Sequence, residues 1–170
     1  MPNTYIKIAS VTVGAGGASS IDFTSIPSTY TDLCLKVSTR LATGNFPNVR
    51  VQFNSNTSNY SHRILFGSGS SAGSYSGAND GIDYISDDAA SQTSNTFSNS
   101  EIYIPNYAGS SNKSVSVDGV SENNDTTAYA LLTAGLWSNT SAITSLKIYG
   151  GGGQSLAQYS TATLYGIKNS

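Results

Sequence analysis

The chain has 170 residues, 11% of them charged, with 8 Lys+Arg against 10 Asp+Glu for a formal net charge of -2. A typical soluble domain carries roughly 25% charged residues; here 30 Ser, 17 Thr and 15 Asn take over the solvation of the surface. Eight dispersed cations make no basic patch for neutralising phosphates, so a nucleic-acid partner is not expected. No apolar run approaches 18 residues, so no membrane span is expected, and the opening Met-Pro-Asn-Thr-Tyr has neither the charged nor the apolar part of a signal peptide.

In chain order the pattern is β. Ile6 and Ile8 alternate with Lys7, and Val11 and Val13 continue in shifted phase, which predicts a bulge near Ser10. Gly14 to Gly17 is a turn, Ile21 and Phe23 flank Asp22, and Pro27 ends that strand. Leu33, Leu35 and Val37 alternate with Asp32, Cys34 and Lys36 in the cleanest strand of the chain, and Val49, Val51 and Phe53 form another. Ile64 to Phe66 is a short apolar run.

From Gly67 to Gly81 the residues are Gly, Ser, Ala and Asn apart from Tyr75 and Asp80, which predicts a long exposed loop region over 67–95, interrupted only by a weak strand at Ile82 to Ile85. Phe97 to Ile104 is a strand stopped by Pro105. Val115, Val117 and Val120 mark the next, and Thr127 to Trp137 fits a strand or a helical turn. Ile143 to Tyr149 is a strand, Gly150 to Gly153 a turn, and Tyr159 to Ile167 the last strand, expected to pair with or lie beside the first. Roughly ten strands without a long helix predict an all-β antiparallel sandwich or jelly roll, with residues 1–170 as a single domain.

Chemistry is sparse. Cys34 is the one cysteine, which excludes an internal disulfide and a cysteine-rich zinc site. A Ser-His-Asp mechanism has one histidine to draw on, His62, which reads as a surface or sheet-edge residue. Asp80, Asp83, Asp87 and Asp88 cluster and read as solvation of a loop. Asp80 and Asp83 are also the only calcium candidates, though they lack the EF-hand spacing and its distal Glu. No catalytic residue, cofactor site or metal site is assigned, and the chain is expected not to be an enzyme. Tyr75, set among Gly and Ser, is the candidate interface residue. Trp137 is expected in the core.

The run Gly14-Ala15-Gly16-Gly17-Ala18-Ser19-Ser20-Ile21-Asp22-Phe23 through Ile26-Pro27 to Tyr30-Thr31-Asp32-Leu33 resembles the opening of a family of virion structural proteins of tailed bacteriophages, many of them marine or cyanobacterial. The stretches Ile102-Tyr103-Ile104-Pro105-Asn106-Tyr107-Ala108-Gly109 and Thr163-Leu164-Tyr165-Gly166-Ile167 fit the same pattern. The resemblance covers most of the chain and is weakest from Gly67 to Asn95. It implies a particle component, free-standing or at the end of a tail fibre, made in the host cytoplasm and located in the virion. With no coiled-coil or collagen-like stalk in the chain, the expectation is a capsid decoration, or cement, protein: a homo-oligomer, expected as a trimer, whose partners are the major capsid protein or other virion proteins. The alternative is a tail-fibre or tail-tip adhesin domain that binds host surface glycan.

Overall fold

A computed structural model describes residues 4–44, 48–86, 88–124 and 128–168. It is built of strands: β1 (Tyr5–Thr12), β2 (Ser20–Phe23), β3 (Asp32–Thr39), β4 (Val49–Phe53), β5 (Tyr60–Gly67), β6 (Ala72–Gly77), β7 (Ile82–Ser86), β8 (Ser98–Ile104), β9 (Lys113–Ser121), β10 (Tyr129–Trp137), β11 (Leu146–Gly150) and β12 (Thr161–Ile167). The only helical element among the described residues is a single 3-10 turn at Gly151–Gly153. Ser, Thr and Asn favour this outcome, because their side chains compete with helical backbone for hydrogen bonds. Five asparagines, at 54, 59, 95, 106 and 124, hold positive φ at turns, a conformation that Asn tolerates better than most side chains.

The strands form two antiparallel sheets. The large one runs β1-β12-β3-β8-β9-β10-β5-β6 and the small one β2-β11-β4-β7. β1 and β12 pair from Tyr5↔Ile167 to Thr12↔Thr161, so the chain termini close one side of the large sheet, as the sequence predicts. The bulge in β1 lies at Ile8, between Lys7 and Ala9, two residues earlier than the phase change suggests. β10 is a full strand rather than a helical turn, paired on both sides.

The core lies between the sheets. Leu33, Leu35, Val37, Val49, Val51 and Phe53 are all buried in it, as their period-two alternation predicts. Trp137 is buried and stacks on Tyr60 at 6.1 Å, with Phe53 tilted against both. The Tyr60 hydroxyl accepts from the Phe53 amide at 2.8 Å, and burial raises its pKa to about 12. On β9 the alternation is strict, and it turns Val120 outward to the opposite face from Val115 and Val117.

The expected loop over 67–95 contains two strands. β6 pairs with β5 without interruption from His62↔Gly77 to Gly67↔Ala72. β7 joins the small sheet beside β4 and also lies against β3, β5, β8, β9 and β10 of the large one. At Gly135 the approach leaves no room for a side chain: an added Cβ would stand 2.7 Å from the Ile82 side chain. The rest of the segment is held by Arg40, whose guanidinium donates to the carbonyls of Ala90, Gln92, Thr93 and Thr96 at 2.8–3.1 Å and lies 3.6 Å from Asp88. A single guanidinium thereby orders a stretch that has few apolar anchors of its own.

Candidate functional site

Two features carry the unusual chemistry of the molecule: a buried ionic cluster between the sheets and an apolar strip on the outside of the large sheet.

The cluster is centred on Asp83 of β7, which is 2% exposed. Its carboxylate accepts from Arg50 Nε on β4 and from the Asn79 amide, with a second Arg50 contact at 3.4 Å. The same guanidinium donates to Asp80 Oδ1 at 2.6 Å, and Gln52 donates to the Asp80 carbonyl at 2.8 Å. Burial pulls the Arg50 pKa down, but the hydrogen bonds and charges of Asp83 and Asp80 outweigh it and the net shift is upward. Asp80 and Asp83, the two calcium candidates, are therefore brought together around an arginine, which occupies the position a cation would need. Among the described residues, no three His, Cys, Asp or Glu side chains are placed to share a metal ion.

The reading of these aspartates as loop solvation is corrected. Asp83 and Asp88 are buried and paired with arginines, and only Asp80 keeps substantial exposure. Asp87 lies outside the described residues. Burial dominates at Asp88 and raises its pKa, against Arg40 and the hydrogen bonds of Thr96 and Asn123.

His62 is corrected in the same way. It lies on the inner face of β5, 1% exposed, with Nε2 3.9 Å from Asp83 Oδ2 and neither ring nitrogen hydrogen-bonded. Burial lowers its pKa; the charge of Asp83 opposes this, while Arg50 and Arg63 add to it. A neutral imidazole sealed from solvent has no route to a substrate proton. Its cover is Tyr75, whose ring lies 6.0 Å from that of His62 and 6.1 Å from that of Tyr84. Tyr75 is therefore a strand residue on β6 rather than a loop residue, and it is 50% exposed.

Sequence reasoning missed Lys113. It is fully buried, and its ammonium donates to the carbonyls of Gly109 and Ser111 and reaches that of Thr140 at 3.5 Å; burial lowers its pKa. The one available signal was its place at an inward position of the β9 alternation, two residues before Val115.

The second feature is open to solvent. On the outer face of the large sheet Leu132 of β10 stands directly opposite Leu65 of β5, and the two are 57% and 61% exposed. Val120 and Ala130 form the next row, and Ala134 faces Arg63 on the other side. A shallow groove of about 540 Å³ runs along this face, bounded by Arg63, Leu65, Ser74, Ser76, Leu132 and Ala134. The other half of the same face is mixed, with Lys36 and Glu101 paired at 3.0 Å, Ser10 bonded to Thr163, and Tyr5 packed edge-on against Tyr165. Val120, Leu132 and Leu65 sit at outward positions of their strands, so this strip was legible once those strands were assigned.

Comparison with family models, with curated proteins and with solved structures finds no match. The reading of function rests on this geometry and on the residue patterns above.

Proposed function

We propose that the chain is a non-enzymatic structural component of a phage virion, a capsid decoration protein that seats the outer face of its large sheet on coat subunits. The observation that carries this reading is the facing pair Leu65 and Leu132, held open on a rigid sheet. Fully burying an exposed leucine side chain is worth about 1.5–3 kcal/mol, so a partner covering what remains open of both gains about 2–4 kcal/mol before any polar contact is made. The resemblance in strand and turn patterns supports the particle assignment. The side chains fit for acid–base work support the absence of catalysis, because they are spent on one another: Asp83 and Asp80 on Arg50, Asp88 on Arg40. A single buried cysteine suits production in a reducing cytoplasm.

The second reading, an adhesin domain at a tail fibre or tail tip, is favoured by the hydrogen-bonding groups of the groove, where Arg63, Ser74 and Ser76 border the leucines. Cryo-electron microscopy of particles, with occupancy of Leu65→Ser/Leu132→Ser measured beside wild type, tests both. Density on the head that is lost in the variant supports decoration. Density at the tail, with glycan binding that falls in Arg63→Ala, supports the adhesin and overturns decoration.

A further inference from the structure

A sheet edge is a row of unpaired N–H and C=O groups, and folded β proteins guard such edges with charge, bulges, short strands or cover. Among the described residues the two sheets have four edge strands, β1, β6, β2 and β7. β1 carries the exposed Lys7 and the bulge at Ile8. β2 is four residues long and presents the exposed Asp22. β7 breaks register between Val49 and Val51, turns to positive φ at Tyr84, and gives the Tyr84 carbonyl to the Thr133 hydroxyl at 3.3 Å. β6 has none of these devices. Its sequence, Ala72-Gly73-Ser74-Tyr75-Ser76-Gly77, holds no charge and no proline, its register with β5 is unbroken, and all of its φ angles are negative. The Phe66 ring packs over it, lying where a Gly73 side chain would stand, 2.6 Å from an added Cβ.

We infer that two copies of this chain pair edge to edge, β6 antiparallel to β6, in a two-fold dimer. The partner strand must itself be unguarded, and among the described edges β6 is the one that qualifies. A strand that pairs with its own copy makes an isologous contact, which closes at two copies. The faces fix the register. Opposed residues of an antiparallel pair share a face, so outward Ser74 and Ser76 must meet outward residues and inward Tyr75 an inward one. The register centred on Tyr75 satisfies this. It sets Ser74 against the partner's Ser76, Gly73 against the partner's Gly77, and the two half-exposed Tyr75 rings side by side. The product is one continuous sheet twice as wide, in place of the three-fold oligomer expected from the sequence. A two-fold axis normal to the sheet also puts both leucine strips on the same side, where one particle surface can engage both.

The test uses the isolated full-length chain and needs no particle, so it stands or falls apart from the decoration reading. Sedimentation of wild type should give twice 17.7 kDa. Ser74→Glu/Ser76→Glu places like charges opposite each other across the axis, while its residue 76 carboxylate lies beside Arg63 of its own chain; it should sediment at 17.7 kDa and still melt in one cooperative transition, now independent of protein concentration. Ser74→Lys/Ser76→Glu differs only in the sign of residue 74 and should restore the dimer. A wild-type mass of one or three chains overturns the proposal, as does a dimer that survives in the double-glutamate variant. A Lys/Glu variant that stays monomeric overturns the Tyr75-centred register.

Discussion

Replacing Arg50 by Met keeps most of the apolar stem and removes the guanidinium. Asp83 then stays at 2% exposure with the Asn79 amide as a donor and a neutral His62 at 3.9 Å, and it loses the cation that meets both its oxygens. Breaking a buried ion pair from one side costs about 3–5 kcal/mol, because a charge is left without compensation. The Arg50 side chain is 18% exposed, and water reaching the site puts the expectation at the lower end, about 3 kcal/mol. For a chain of this size that lowers the melting temperature by roughly 6–12 °C. Asp80, 44% exposed, contributes less than about 1 kcal/mol by the same logic. Arg50→Met/Asp83→Leu removes both charges and should recover most of the loss, since an apolar pair of similar volume often matches a buried ion pair. Urea unfolding at neutral pH, followed by Trp137 fluorescence and far-UV circular dichroism, reads both variants. A single variant within about 1 kcal/mol of wild type, or a double variant as unstable as the single, refutes the reasoning.

The buried His62 makes stability pH-dependent. Its folded pKa lies below 6.5, so the unfolded chain takes up the proton first, and stability present above about 6.5 is lost as pH falls through the folded value. The groups facing it are Asp83 of β7, Arg50 of β4 and the Tyr75 ring of β6, and the charge of Arg63 acts on it from the opposite face of β5. Urea midpoints should fall between about pH 7 and 5 with a slope that His62→Phe reduces; an equal slope in both proteins contradicts the assignment. Cys34 is fully buried, and burial, ahead of the charge of Glu101, lifts its pKa to about 11, so a thiol reagent at neutral pH should label it only in denaturant. Labelling of the native protein at the rate of a free thiol would show that β3 opens readily. Removing residues 164–170 strips most of a strand that pairs with both β1 and β3; the cooperative melting transition should disappear, and an unchanged transition would contradict the closure of the sheet.

Much of the fold was legible because the decisive strands carry their own periodicity. β3 and β4 alternate β-branched or leucine residues with polar ones, and one face must then be buried whatever the partner. β6 carried no such mark. Gly73, Tyr75 and Gly77 form its inward row, and a strand whose inner face is mostly glycine shows no apolar alternation. What makes it a strand is supplied by β5, through the Phe66 ring over Gly73 and the backbone ladder from His62 to Gly67.

The sequence by itself determined the class of structure, many of the turn positions and the core face of the most regular strands. Those are local properties: propensity, period and the conformational demands of Gly, Pro and Asn. Only the tertiary structure decided that Asp83, Arg50 and His62 share a buried site, because they sit on β7, β4 and β5 of two different sheets and their sequence spacing says nothing of the distance between them. Burial pulls the pKa of both Arg50 and His62 down, and the charge of Asp83 opposes it at each, a condition that exists only once the two sheets have closed.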